Sequence, residues 1–400
     1  TIEKTNDSGL IFKNENAYSN MQYDDDGIKL LALFRYWNAV EYWYAYKSLI
    51  AKDWDDILIS YIPKITKTKN KLEFSKCINE FVVKIEDTHA VLTENNELAN
   101  YFGKNKLPIS AKLIKDKLVV TDNFSNSNFK KGDIILQIDN KPVETLVNDI
   151  KKYCTASNEQ ATLRNIASKL IRTNNENSNV LIEREREKTT IQSKNIDAYN
   201  TIQKNTKSYE IDKNVGYINA ETASKNEIED LFTKWNKKNS IIIDLRGYPK
   251  ENLSFVVAPF LHKSDFVGYQ KSSASLNNPG YFIKEKEDKI IPKSPTFKGY
   301  LYVLVDEYSQ SKAEFNTLVL QAYNRTVVVG SQTAGTDGSA SKLILPSDLS
   351  VYITTDGVYY PNWRSAQKTG IIPQIGVEND IKDYKKGIDA ILEKAIDIAD

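Results

Sequence analysis

YLYVLVDEYSQSKAEFNTLVLQAYNRTVVVGSQTAGTDG, Tyr300 to Gly338, decides how the C-terminal half of the chain folds. Leu301 to Val305 is an apolar run long enough for a buried strand, and Glu307-Tyr308-Ser309-Gln310 is a polar turn. Ser311 to Tyr323 reads as a helix and Thr326 to Gly330 as a second buried strand. A parallel sheet presents a serine in this way, at the carboxyl end of one strand and the amino end of a helix. Free backbone N–H groups and the helix dipole stabilise developing negative charge there. Ser311 is therefore a candidate nucleophile. The same residues also support a plainer role, because Ser311-Lys312-Ala313-Glu314 is S-x-x-E, the pattern of a capping box.

Upstream, the chain alternates between strand and helix. Val215 to Ile218 is a strand, and Ser224-Lys225-Asn226-Glu227 opens a helix that runs to about Lys237. Ser240 to Gly247, SIIIDLRG, is a fully buried strand ending in Asp244, Arg246 and Gly247, and a helix follows from Asn252 to Leu261. Such alternation predicts a mainly parallel sheet with helices on its faces. Short β segments come after Lys342, and Lys382 to Ile398 reads as a closing amphipathic helix.

Residues 105–195 differ in character. Ile109 to Ile114 and Leu118 to Thr121 are short apolar-rich runs around the turn Lys115-Asp116-Lys117. Lys131 to Val143, KGDIILQIDNKPV, carries a hairpin signal with Asp-Asn-Lys as its tight turn. A helix is expected from Val147 to Tyr153 and a second with Leu163, Ile166, Leu170 and Ile171. A strand from Asn179 to Glu183 then meets a highly charged edge, Arg184 to Lys188.

Helical spacing dominates from Asp26. Asp53 caps a second helical segment, and Glu73 to Ile85 forms a third. The aromatic run Tyr36, Trp37, Tyr42, Trp43, Tyr44 and Tyr46 reads as packing between helices. The helical region ends in Glu86-Asp87-Thr88-His89-Ala90-Val91-Leu92. Residues 1–24 are polar, rich in Asn, and expected to be an extended arm.

Composition removes several classes of function. The formal net charge is +1, with 54 Lys and Arg against 53 Asp and Glu interspersed along the chain, so no basic stripe marks a nucleic-acid partner. No apolar run reaches the ~18 residues of a membrane span. Cys77 and Cys154 lack metal-ligand or C-x-x-C spacing, and His89 and His262 are the only histidines, which excludes H-E-x-x-H and every multi-His zinc site. That scarcity concentrates attention, since a general base near neutral pH is most often His. The sequence opens on Thr1 without a charged n-region or apolar h-region, and a chain processed from a leader and a trimmed one both fit.

Four separated segments together resemble one family. Lys131 to Val143 is similar to the Gly-Asp-x-Ile hairpin of a PDZ domain. Val215 to Gly247, with its Ile-Ile-Ile-Asp-Leu-Arg-Gly, resembles the strand and loop before the active site of C-terminal processing (tail-specific) and tricorn-type serine peptidases. Ser311 to Glu314 with Val329 to Gly335 resembles their nucleophile helix and glycine turn, and Asp87-Thr88-His89-Ala90 their Asp-x-His segment. The order also agrees, over nearly the whole chain beyond the first two dozen residues.

This resemblance implies an α/β multidomain protein. The expected parts are an N-terminal arm at 1–24, a helical cap domain at 25–98, a PDZ-like β-rich domain at 105–197 and a C-terminal α/β catalytic core at 205–400 with a mainly parallel sheet. It implies a serine endopeptidase that needs no metal or cofactor, with Ser311 as nucleophile and Glu314 as the acidic residue three places on. Thr336 stands where a Ser-Lys peptidase carries its lysine, and Lys312 and Lys342 are elsewhere, so the match is to the His-dependent, tricorn-like branch with His89 as base. The residue before Gly370-Ile371-Ile372-Pro373 that matches the third group is Gln367. The expected oxyanion donors are backbone N–H groups of Gly247 or Tyr248 with that of Lys312, because Pro249 cannot donate. Asp244 and Arg246 are expected to hold that loop. A peptide or protein is the expected partner, bound or gated by the PDZ-like part, and the setting is extracytoplasmic: periplasmic, secreted or surface-associated. The rival is a non-catalytic peptide- or ligand-binding protein on the same fold, favoured by the missing lysine, by Gln367 in place of an acid, and by the thinned glycine loop.

Overall fold

The computed structural model describes residues 1–5, 9–93, 95–125, 127–200 and 206–399, so residue 205, the expected start of the core, lies outside the described residues. A six-stranded sheet runs in the order Tyr209–Glu210, Val215–Asn219, Ser240–Asp244, Tyr300–Val305, Thr326–Gly330, Ile375–Gly376. Every neighbouring pair is parallel except the first. Strands buried on both faces read as continuous apolar runs, and the alternation still shows in where each side chain goes. Ile241, Ile243, Leu301, Val303 and Val305 pack with the helix residues Ile228, Phe232 and Leu318. Ile242, Tyr302, Leu304 and Val329 pack on the other face against Ile391 and Ala395 of the Ala390–Ala399 helix.

The closing helix is two helices. Ile381–Lys386 ends at Gly387, whose φ of +69° is a left-handed cap, and Ala390–Ala399 starts afresh. Asp389 between them accepts from Leu392 N–H and pairs with Arg246 at 2.7 Å. The stretch 252–261 is likewise shorter than expected: a single turn, Leu253–Val256, then a 3-10 turn Ala258–Phe260 containing Pro259, which has no N–H to donate.

The middle of the chain forms an antiparallel sheet in the order Glu187–Lys194, Asn177–Arg184, Ile134–Ile138, Lys117–Asn123, Ile109–Ile114. Asp139 and Asn140 turn its hairpin with φ of +49° and +65°. The charged edge at 184–188 is a second such turn, at Glu185 and Arg186, and leads into a strand whose Lys and Glu side chains face solvent. The Glu159–Leu170 helix, capped by Asn158, packs on the Ile109–Ile114 strand.

The N-terminal helices Asp26–Trp43, Trp54–Thr66 and Lys71–Val82 start at Asp25, Asp53 and Asn70, whose side chains accept from first-turn N–H groups. Their aromatics are packing residues: Trp54 stacks on Phe81 with centroids 5.1 Å apart, and Tyr36 meets Phe81 edge-on at 5.7 Å. A short helix at Asn96–Phe102 adds to them. Far from these in sequence, the hairpin Ala340–Leu345/Leu349–Thr354 buries Leu343, Leu345, Leu349, Val351 and Ile353 in the same helical core. The expected arm is a small antiparallel pair, Ile2–Lys4 with Leu10–Phe12, and Leu10 N–H donates to Ser341 Oγ at 2.8 Å. Among the described residues no helix is long and apolar enough to cross a membrane.

Gly330, where the sheet strand enters the glycine turn, has φ +134°, and a Cβ there would lie 1.9 Å from the Val305 carbonyl oxygen. Gly330→Ala is expected to destabilise the protein by at least ~2 kcal/mol, read as a lower urea midpoint at unchanged slope.

Candidate active site

The turn after the Tyr300–Val305 strand is tied down before it reaches Ser311. Ser309 Oγ donates to Leu245 O at 2.8 Å and accepts from Asp306 N–H at 3.1 Å, which fastens the turn to the loop after the Ser240–Asp244 strand. Burial and the neighbouring Glu307 push the Asp306 carboxyl up to about 8. Ser311 then caps the Lys312–Leu320 helix with φ +55° and ψ −116°. A non-glycine residue in that region costs about 1–3 kcal/mol and persists only where its surroundings fix it. They do so here: Ser311 N–H donates to Thr336 O at 2.9 Å and to Glu314 Oε2 at 3.2 Å. A serine held in a strained turn between strand and helix is how a nucleophile is presented at the top of a sheet.

Glu314, 1% exposed, is the hub of the glycine turn. It accepts from Thr333 Oγ1, Gly335 N–H at 2.8 Å and Thr336 N–H at 2.9 Å as well as from Ser311. Burial outweighs these four donors and pushes its pKa up to about 7. The capping box is thus real in its Glu314 half, while the backbone of Ser311 departs from that of an ordinary cap.

His89 reaches this region through a strand-like addition to the hairpin from the other end of the chain. Thr93 N–H donates to Ser350 O and Tyr352 N–H to Val91 O, flanking a bridge between Leu92 and Val351. The imidazole Nδ1 lies 3.2 Å from Thr354 Oγ1, and His89 N–H donates to Asp87 Oδ1 at 3.0 Å. Asp87 is fully buried and takes two further donors, Thr336 Oγ1 at 2.5 Å and Thr354 Oγ1 at 2.6 Å. Burial lowers the His89 pKa, against the opposing pull of Asp87 and Asp356. Ser311 and His89, 222 positions apart by subtraction of their numbers, are therefore joined by one chain of contacts: Ser311 to Thr336, Thr336 to Asp87, Asp87 to His89.

The loop expected to supply oxyanion donors is braced by Arg246, which pairs with Asp244 at 2.6 Å and with Asp389. Among the described residues, the N–H groups of Gly247, Tyr248 and Lys312 have no acceptor. Lys312 Nζ stands 5.3 Å from the Tyr248 ring centroid, a cation–π contact between the two segments.

Gln367 makes no hydrogen bond to the His89 ring among the described residues. It is 3% exposed and its Oε1 accepts from Asp337 N–H at 3.2 Å, but the group at the His89 ring is Thr354. The Gln367 Nε2 and Asp337 Oδ2 are both buried without a hydrogen-bond partner, and burial holds the Asp337 carboxyl well above the usual range. His262 stacks on Phe266 with centroids 3.6 Å apart. Thr354 had no signal in the sequence: it ends a hairpin strand, and nothing in its neighbours distinguishes it. Asp87 was legible only as the first residue of Asp-x-His.

Residues 214–377 match the sequence pattern of peptidase family S41. The match takes in the sheet from the Val215–Asn219 strand to the Ile375–Gly376 strand. Residues 104–214 match a PDZ domain. The chain is similar to the carboxy-terminal-processing protease of Bartonella bacilliformis, 24% identical over 196 residues that span 46% of this chain and 43% of the relative. Among solved structures, mature CPAF has a TM-score of 0.71 at 15% identity, covering 94% of this chain and 96% of the other. The photosystem II D1 C-terminal processing protease has a TM-score of 0.53 at 17% identity, covering 91% and 98%. At these identities the two structures establish a shared fold.

A carboxyl raised from 4.5 to about 7 binds its proton more tightly in the folded state, so its contribution to stability is complete below pH 4.5 and is lost as pH rises through 7. The wild type is expected to lose up to ~3 kcal/mol relative to Glu314→Gln across that window, measured by urea unfolding at several pH values.

Proposed function

We propose that the protein is a serine endopeptidase in which Ser311 is the nucleophile and His89 the general base. The observation that supports this is the strained Ser311 turn, linked by hydrogen bonds through Thr336 and Asp87 to His89. Ser311 Oγ attacks the peptide carbonyl carbon while its proton passes to His89 Nε2. The carbonyl oxygen becomes an oxyanion facing the N–H groups of Gly247 or Tyr248 and Lys312, each worth roughly 3–4 kcal/mol of transition-state stabilisation. The imidazolium then gives its proton to the leaving amine, an acyl ester remains on Ser311, and water activated by His89 releases the acid. The fold-level match and the names of the relatives agree with a polypeptide substrate cut near a C-terminal segment.

The PDZ part fits a role in gating. Its Glu159–Leu170 helix touches the nucleophile turn directly: Arg164 Nη1 donates to Glu307 O at 2.8 Å and Nη2 to Gln310 Oε1 at 3.0 Å. At the helix start, Asn158 Nδ2 donates to Thr333 O, and Ser157 and Thr88 exchange hydrogen bonds. An extended peptide adding to an edge of the neighbouring sheet would act on the site through these contacts. Arg164→Ala is expected to slow acylation about 10-fold, and Arg164→Lys to recover only part, because a single ammonium cannot serve both acceptors in the fork geometry.

Covalent labelling with a fluorophosphonate tests the chemistry. The wild type labels once, Ser311→Ala abolishes labelling, and His89→Ala slows it by ~10³-fold or more. Because burial lowers the His89 pKa, the labelling rate should reach half its alkaline plateau below pH 6.5. A folded wild type that binds peptides yet never labels would favour the non-catalytic reading.

A further inference from the structure

A serine peptidase of the Ser–His kind needs its imidazole held in one tautomer, with the nitrogen facing the nucleophile unprotonated. The position expected to do this, Gln367, accepts from Asp337 N–H through its Oε1 and makes no hydrogen bond to the ring among the described residues. The ring is held elsewhere, and the proton count around Thr354 shows how. Thr354 is fully buried at the end of the Leu349–Thr354 strand, with Oγ1 2.6 Å from Asp87 Oδ2 and 3.2 Å from His89 Nδ1. A hydroxyl has one proton to give and lone pairs to receive with, while an ionised carboxylate only accepts. The Thr354 proton therefore points to Asp87. What remains toward the ring is a lone pair, so Nδ1 must carry a hydrogen. In a neutral imidazole that leaves Nε2 bare.

We infer that Asp87 and Thr354 are the positioning residues of the active site, the carboxylate acting on His89 through the bridging threonine hydroxyl. This rests on the reading of His89 as the base. The bridge fixes the Nδ1–H tautomer in the resting enzyme and keeps a negative charge one hydroxyl away when the ring takes the Ser311 proton. Asp87 is itself oriented from two more directions, by His89 N–H and by Thr336 Oγ1 at 2.5 Å. The other titratable groups around the pair are Asp356, bonded to Lys271 at 3.4 Å, and the Tyr36 and Tyr44 phenols, whose pKa values are raised by burial and by Asp87. None of these is hydrogen-bonded to the ring among the described residues.

Because the chain has two histidines, the tautomer can be read directly. Long-range ¹H–¹⁵N spectra of the ring-labelled protein at pH ~8, above the ordinary imidazole pKa of ~6.5, report which nitrogen is protonated, and His262→Asn identifies the His89 signals. The expected wild-type pattern is Nδ1–H. In Thr354→Val the ring should pass to Nε2–H or a mixture, with fluorophosphonate labelling slowed 10- to 1000-fold. Thr354→Ser, which restores the hydroxyl, should recover both. An Nε2–H ring in the wild type overturns the inference, as does a folded Thr354→Val protein that keeps Nδ1–H and labels normally. Should Thr354→Val fail to fold, the wild-type tautomer and the Thr354→Ser protein decide the matter. An Nδ1–H ring in a wild type that never labels would leave the bridge standing and remove the peptidase reading, so the two claims fail separately.

Discussion

The buried carboxylate of Asp87 is the constraint on which the site depends. A charge out of contact with water is expensive unless it is surrounded by donors. Asp87 finds three, and they come from distant parts of the chain: its own segment through His89 N–H, the glycine turn through Thr336, and the C-terminal hairpin through Thr354. Satisfying this one group requires the helical region, the parallel-sheet core and the hairpin to be in place together. The hairpin contributes on its apolar side as well, since Leu343, Leu345, Leu349, Val351 and Ile353 complete the helical core. Packing and electrostatics thus favour the same arrangement.

Glu314 is the counterpart on the side of Ser311. It gathers Ser311, Thr333, Gly335 and Thr336, so the glycine turn is suspended between two buried carboxylates. Thr336 is the shared member: its N–H goes to Glu314, its hydroxyl to Asp87 and its carbonyl accepts from Ser311. A lysine at that position would place a cation between the two acids. A threonine places a hydroxyl donor there, and its backbone carbonyl and side chain together connect Ser311 to Asp87. The strain in Ser311 is affordable because this network fixes the residue from several sides.

Much of the architecture was legible in the sequence because it depends on apolar runs or on local capping. The Ser240–Asp244 and Tyr300–Val305 strands read as apolar runs because both of their faces are covered, and Asp53 and Ser224 are the caps that their neighbours imply. Where the reading failed, a tertiary or edge effect had replaced the pattern. The Glu187–Lys194 strand shows in the sequence only as the charged edge at its start, because most of its side chains face water. The closing helix looks continuous because its period continues across Gly387, although the chain breaks there so that Asp389 can meet Arg246. In the site, Ser311 and His89 carry recognisable local sequence. Thr354 does not, because what singles it out is a hydroxyl placed between two groups more than 260 positions away. Gln367 was expected at the ring by position alone, and position does not specify which way a buried side chain points.

A structure of the protein with a peptidyl boronate would test the account most directly. The account predicts a bond from Ser311 Oγ to boron, one boronate oxygen facing the N–H groups of Gly247 or Tyr248 and Lys312, and His89 Nε2 within hydrogen-bond distance of the adduct. A boronate attached to another residue, or an adduct on Ser311 with His89 out of reach, would contradict it.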